Sequence, residues 1–291
     1  MNVRHIVIAA LVCLVSPTTL IAQEGWYFGM EIGPAIAPGM RIDESDNDWS
    51  TQCDLINNPE QVEVGEGQCV NAPPPGAWYN DIDGASGAMG GLTVGHTFRH
   101  VRIEGETSFR TVNYGGSVPM VIGDVTTREK ENNELEVAEG GIGDVQTFRL
   151  GANAFFHRGS FYAGGGVGIV AVGLDRHSRW KRNDDPAQIA TFDDPIMKAR
   201  IAGTTSISNH RLQDTLVGYQ LIAGYDHALN EQVSIGLKVR WSKLSKFEDG
   251  ASFTQLRSHE SNVGRGFDVR YRTTTNDLSA VGLTLTMKYL L

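Results

Sequence analysis

Four adjacent residues, Ser258, His259, Glu260 and Ser261, hold the side-chain types of a nucleophilic hydrolase. A serine hydroxyl attacks an ester when an imidazole takes its proton and a carboxylate orients the imidazole. Those roles are set by geometry, and sequence neighbours seldom converge as a triad. A second candidate is the glycine run Gly164–Gly166 with Gly168. A phosphate-cradling loop needs set glycine spacing and a following helix, whereas this stretch continues as an alternating strand. Small residues that relieve crowding in a narrow interior are the simpler reading. A third candidate is the acidic group Asp43, Asp46 and Asp48, which offers hard oxygen ligands but lacks the glycine and terminal glutamate of a calcium loop. A solvated acidic face accounts for it. No catalytic, cofactor-binding or metal-binding residues are expected on these grounds.

The charges with the most regular placement are Glu31, Arg102, Glu104, Glu106, Arg110, Arg149, Lys238, Arg240 and Lys288, with Asp226 on the same face. They occupy one face of strands whose other face is apolar. Both signs occur together, as in an ion-paired interior, because buried charges need partners to offset desolvation. A ring of Arg and Lys lining an anion pore is the competing reading. Eight strands leave an interior only wide enough for side chains to fill, which favours a structural network. Lys288 is expected to face Glu31, Glu104 or Glu106.

The elements that position these charges show a period of two, the signature of strands. Val281, Leu283, Leu285, Met287, Tyr289 and Leu291 form one face of the last strand, with Gly282, Thr284, Thr286 and Lys288 opposite. Trp26, Phe28, Met30, Ile32 and Ile36 form one face of the first, where Pro34 implies a bulge or the strand's outer end. Between them alternation recurs over Gly90–Phe98, Val101–Phe109, Phe148–Phe156, Phe161–Ala171, Val217–Tyr225 and Val233–Trp241. Short turns fall at Phe98–His100, His157–Ser160 and Ala228–Gln232. Long polar segments fall at about 38–85, 113–144, 173–214 and 243–277. This predicts an all-β fold: an eight-stranded antiparallel up-and-down barrel, transmembrane, with four long extracellular loops and short periplasmic turns. A soluble ligand-binding barrel is the structural alternative. Aromatic residues near the strand ends, among them Trp26, Phe98, Phe109, Phe148, Tyr225, Trp241 and Tyr289, favour lipid outside.

The start of the chain narrows the compartment. Arg4 and His5 precede the apolar run Ile6–Val15, then Ser16–Pro17 and the small Ala22. That order predicts a secretory signal peptide over residues 1–22, cleaved, with the barrel domain over 23–291. Cys53 and Cys69 remain, an even pair in an exported chain that reads as a disulfide. Closing a loop of about 15 residues contributes about 3 kcal/mol in the chain-entropy model. A net charge of −9 argues against nucleic acid, which wants a basic surface.

Several stretches resemble the OmpA-like and opacity-protein-like small outer-membrane barrels: Glu24–Gly29, Val101–Glu106, Phe161–Gly168 and the final strand with its aromatic third from the end. Family members usually finish on Phe, and this chain finishes on Leu291. The resemblance covers strands but not loops. It implies a monomer in the outer membrane of a Gram-negative bacterium, among outer-membrane lipids and lipopolysaccharide, inserted by the barrel assembly machinery through its C-terminal strand. It further implies a non-enzymatic structural, envelope, antigen or adhesion role, with an unidentified extracellular ligand or host surface at the loops. A narrow diffusion pore is the first alternative and a lipid A-modifying enzyme the second. Arg176, Arg179, Lys181 and Arg182, with Trp180, are candidates for contact with lipid phosphates. The acidic first segment is a candidate for bridging to lipopolysaccharide through divalent ions.

Overall fold

The computed structural model describes residues 24–46, 76–122, 134–189, 194–255 and 267–291. The export signal, the Cys53–Cys69 pair, Asp48 and Ser258–Ser261 lie outside the described residues. In chain order the strands are β1 (Gly25–Ala37), β2 (Met40–Asp46), β3 (Gly76–Ile82), β4 (Ala85–Thr97), β5 (Val101–Asn113), β6 (Val118–Pro119) and β7 (Val121–Ile122). They continue as β8 (Leu135–Arg158), β9 (Phe161–Arg182), β10 (Thr205–Ala228), β11 (Val233–Leu244), β12 (Phe247–Gln255), β13 (Phe267–Thr275) and β14 (Ser279–Leu290). A short helix, α1 (Pro195–Ile201), lies between β9 and β10.

Eight of these strands close on themselves, in the order β1–β4–β5–β8–β9–β10–β11–β14 and back to β1, every pair antiparallel. The closing strand is hydrogen-bonded on both sides: Tyr289 stands opposite Phe28 of β1 and Val233 of β11. Closure leaves this sheet no edge along β14 for another chain to extend.

The alternation settles which face is inside. On β11, Ile235, Leu237, Val239 and Trp241 are turned out, and Lys238, Arg240 and Ser242 are buried within. Ile32 is 70% exposed while Glu104 is 0% and Lys238 2% exposed. A soluble protein rarely exposes so continuous an apolar surface, whereas apolar-out and polar-in is the pattern of a barrel surrounded by lipid. Aromatic pairs mark both borders of the apolar wall. Trp26–His96 and Phe161–Tyr225 stand near the turns, with ring centroids 5.1 and 5.0 Å apart. Tyr219–Trp241, at 5.7 Å, stands toward the loops.

Of the two expectations for Pro34, a bulge or the strand's outer end, the structure shows no bulge and places it three residues before the loop-side end of β1 at Ala37. The β1–β14 register is the same on either side of it, Ile32 opposite Leu285 and Ala35 opposite Gly282. Pairing lapses only at Gly33–Pro34, where proline offers no N–H, while Pro34 still stands opposite Ala88 of β4.

Among the described residues, the long polar segments carry strands of their own. β8, β9 and β10 run for 24, 22 and 24 residues, about twice the ~9–11 that cross a bilayer. They therefore continue past the apolar wall as a tall ribbon whose outer face becomes polar. Register shifts in β8 between Leu135 and Val137 and between Ile142 and Val145 bend it there. Facing the ribbon is a second sheet in the order β12–β13–β2–β3–β7. The two close on an apolar core including Met40, Ile42, Val172, Leu174, Leu212, Leu244, Phe247 and Tyr271.

Candidate functional site

The lumen is layered, and the inward side chains of β9 read the layers off in order. Tyr162 lies at the turn end. Next come Gly164, Gly166 and Gly168, then Val170, Val172 and Leu174, and finally Arg176.

The glycine level makes room for a charged layer. A Cβ on Gly166 would sit 1.9 Å from Asn153 Oδ1, and one on Gly168 would sit 3.1 Å from Arg149 Cζ. Into that space project the acids and bases of the neighbouring strands. Glu31 receives Lys238 at 2.8 Å and Arg240 at 2.5 Å. Glu106 receives Arg240 at 2.6 Å, Asn153 at 2.7 Å, Ser108 at 2.9 Å and Gln220 at 3.1 Å. Arg149 stands 4.0 Å from Glu106. Glu104 lies 3.2 Å from Arg102 and 4.0 Å from Lys238, and accepts the Tyr27 hydroxyl. These pairings join five different barrel strands, so the layer can tie the walls together only if register is correct all round.

Two of the nine expected network residues behave differently from the sequence expectation. Lys288 donates to Asp226, not to Glu31, Glu104 or Glu106. Asp226 also receives Arg102 at 2.9 Å. It occupies the inner face of β10 close to the turn, where register sets it beside the last strand. Arg110 turns to the Ser242 hydroxyl at 2.9 Å instead of to a carboxylate.

Above the charged layer, Val170, Val172, Leu174, Leu212, Leu216 and Leu244 fill the lumen with apolar side chains. Above these again, Arg176 of β9 meets Glu44 of β2 through two bonds, 2.7 and 3.2 Å. Glu44 also accepts Trp78 Nε1 at 2.7 Å and Thr273 Oγ1 at 2.8 Å. Arg176 donates to Ser208 at 2.9 Å and stacks over Tyr271, its Cζ 4.1 Å from the ring centroid. The cluster joins β9 and β10 of the ribbon to β2, β3 and β13 of the second sheet. Sequence reasoning misses it, because Glu44 stands in the acidic first segment, which reads as a solvated face, and Arg176 in the basic run that reads as contacting lipid phosphates. Burial of the Arg176 guanidinium beside them also bears on His177 and His210. Desolvation first, and the Arg176 charge second, hold both imidazoles below the ordinary histidine pKa.

The basic run expected to meet lipid phosphates is occupied otherwise. Besides Arg176, Arg179 lies 3.6 Å from Glu139, Lys181 2.5 Å from Glu136, and Arg182 3.4 Å from Glu134. Trp180 packs edge-on against Trp78, 5.5 Å between centroids. Pairing with β8 sets Arg179 and Lys181 beside acids of that strand and Arg182 beside Glu134 just before it, so with Arg176 held by Glu44 each base of the run has an acid opposite. Asp43 likewise pairs with Arg41 at 3.1 Å. Among the described residues, no three His, Cys, Asp or Glu side chains converge as a metal site.

No family model matches the chain, and no curated protein matches it. Among solved structures it is similar to Neisserial surface protein A, at 8% identity over 92% of this chain and 97% of that one, TM-score 0.34. It is similar to the outer membrane protein OprG from Pseudomonas aeruginosa, at 13% identity over 92% and 98%, TM-score 0.42. It is also similar to the outer membrane protease OmpT from Escherichia coli, at 9% identity over 96% and 99%, TM-score 0.41. Two of the three are outer-membrane proteins by name. At such identities and TM-scores they carry no argument of their own. The fold rests on strand register and inverted polarity, and by these the chain is an eight-stranded antiparallel transmembrane β-barrel bearing a second sheet at its loop end.

Proposed function

We propose that this protein is a non-enzymatic surface barrel of the outer membrane, serving envelope integrity or adhesion through the elements at its loop end. The observation that carries the reading is the filled lumen, a charged layer backed by an apolar one. Eight strands enclose little more than their own inward side chains, and here those side chains are bonded to one another. The protein's exposed chemistry then lies on the ribbon and second sheet, raised above the lipid-facing wall. Elements so placed on a rigid scaffold are where binding specificity is usually carried. The interior charges have a structural role in this reading.

Purified protein in planar lipid bilayers tests it directly. The expected record is flat, and steady single-channel openings would instead establish the diffusion pore. Incubation with purified lipid A tests the non-enzymatic part: acyl-chain release abolished by His259→Ala would overturn it. Sedimentation with the outer-membrane fraction, and cleavage of the loop-end elements by protease added to intact cells, test location and orientation. Insertion through β14 by the barrel assembly machinery, among lipopolysaccharide, belongs to the same proposal. So does a monomeric state, which the double pairing of β14 supports.

A further inference from the structure

The charged side chains that face the lumen fall into three levels, and only two of the levels balance. Near the turns, Arg102 and Lys288 meet Asp226 and Glu104. Glu231, at the mouth of that end, is exposed to solvent. In the middle, Lys238 and Arg240 meet Glu31 and Glu106. The upper level, beneath the apolar layer, holds Arg110 and Arg149 with no acid of its own. Beside Arg110 in register stand Met89 and Thr147, and beside Arg149 stand Ser108 and Val170. The charged groups close enough to act on Arg110 are Arg149 and Arg240, both of its own sign. Arg149 approaches Glu106 only to 4.0 Å, and that carboxylate already holds Arg240 at 2.6 Å. The lumen thus carries two more cations than carboxylates, and the surplus lies at one level.

Hydrogen bonding is incomplete at the same level. Arg149 is 6% exposed, yet its Nε and Nη2 are buried with no hydrogen-bond partner among the described residues. Its guanidinium lies across three glycines: a Cβ on Gly151 would come within 2.9 Å of Nη2, one on Gly168 within 3.1 Å of Cζ and one on Gly218 within 3.2 Å of Nη1. Arg110 is bonded to the neutral Ser242 hydroxyl at 2.9 Å. Gln220 Oε1 is unpaired in the middle level, but a neutral acceptor leaves the charge uncompensated, and so does water. A guanidinium keeps its proton inside a protein, and a buried charge is strongly unfavourable unless it is paired.

We propose that the folded barrel holds a halide ion, chloride in ordinary salt, at the Arg110–Arg149 level. A halide brings negative charge without polar groups that need partners of their own, which suits a level bordered by Met89, Val112 and Val170. The guanidinium is also the more weakly hydrated of the basic side chains. The bonded layers below and the apolar layer above close the level off, so the ion enters as the barrel folds. This rests on the filled lumen proposed above, which bilayer recording tests separately: steady openings would overturn that reading, whereas the comparison of salts below decides the ion.

The test compares urea unfolding of the full chain, refolded in detergent micelles in sodium chloride, sodium bromide or sodium gluconate at equal ionic strength. Gluconate is the control, an anion too bulky for this level. The expected result is a higher midpoint in either halide, the folded-to-unfolded ratio rising about tenfold at a halide concentration ten times its dissociation constant. Arg110→Met removes one surplus cation, so it should lose the halide dependence and be at least as stable in gluconate as the unaltered chain. Ser242→Asp supplies a carboxylate where Arg110 already donates, and it too should lose the dependence. Heat-modifiable mobility on a gel confirms that each variant folds. Crystals grown in bromide should show an anomalous scattering peak beside Arg110. Equal midpoints in halide and gluconate, halide dependence retained in Arg110→Met, or bromide crystals without a peak in the lumen would each overturn the proposal.

Discussion

Arg176 and Glu44 lie 132 positions apart and meet through two hydrogen bonds, one residue on a barrel strand and the other on the second sheet. Both are almost fully buried, with side-chain exposures of 3% each. Loss of either partner leaves an uncompensated charge above the apolar core, a change that costs about 3–5 kcal/mol. Arg176→Ala and Glu44→Ala should each loosen the second sheet while the lipid-facing barrel persists. The check is limited proteolysis in micelles, with heat-modifiable mobility retained. The double variant Arg176→Met with Glu44→Leu should be less damaging than the sum of the singles, because no lone charge remains.

Arg240 bridges Glu31 and Glu106, at 2.5 and 2.6 Å, across the middle of the lumen. Arg240→Met would leave two carboxylates with Lys238 as the nearest cation to Glu31 and none as close to Glu106. The expected loss is again about 3–5 kcal/mol, read as a lower urea midpoint for refolded protein. Glu106→Gln added to it should recover part of the loss. If Arg240→Met folds with an unchanged midpoint, the layer is not structural. If it also conducts in bilayers, the layer is what plugs the lumen.

The barrel was legible because lipid on one side and paired charges on the other give each strand a sharp two-residue contrast. Val233–Trp241 shows it well, with Lys238 and Arg240 against Ile235, Leu237 and Val239. The upper ribbon was not legible, because past the apolar wall the outer face carries Asp175, His177 and Arg179 on β9 and Arg211 and Gln213 on β10. Polar residues then fall on the outer face while the inner face mixes Leu174 with Arg176, and alternation loses its contrast. β2 was hidden in the same way: Asp43, Glu44 and Asp46 read as a solvated run, although Glu44 is buried by Trp78 and Arg176. Asp226 was seen to face inward, yet its pairing with Lys288 depends on register between β10 and β14, two strands that are not hydrogen-bonded to each other. Local sequence cannot state that.

Glycines inside and outside the barrel should respond oppositely. A Cβ on Gly166 would meet Asn153 Oδ1 at 1.9 Å and the Ala152 carbonyl at 2.5 Å. One on Gly105, which faces outward, would meet only the Val94 carbonyl, at an ordinary 3.8 Å. Gly166→Ala is expected to destabilise by about 1–3 kcal/mol, the usual range for overpacking. Gly105→Ala should be neutral or mildly stabilising, since glycine weakens a strand interior. Urea midpoints of the two refolded variants, measured side by side, would show the contrast. Equal destabilisation would argue that the lumen is looser than the packing around Asn153 indicates.

Acid should weaken the loop-end sheet through two histidines. His177 lies 3.0 Å from Ser117 Oγ, and His210 Nδ1 lies 3.0 Å from Ser208 Oγ. Burial, followed by the Arg176 charge, depresses both pKa values below the ordinary histidine value of about 6.5. The folded state therefore binds fewer protons than the unfolded state in the window between the depressed values and about 6.5. In that window stability rises with pH and falls as acid is added. Above about pH 6.5 both states hold neutral imidazoles and the slope vanishes. Below the depressed values both are charged, and the full penalty has been incurred. Protease sensitivity of the ribbon and second sheet should accordingly increase as pH is lowered from 7 through the histidine range. His177→Gln with His210→Gln should flatten that dependence while leaving resistance at pH 7 nearly unchanged. Because Arg176 contributes to both shifts, Arg176→Met paired with Glu44→Leu should also reduce the slope. An unchanged slope in the histidine double variant would assign the acid sensitivity to carboxylates instead.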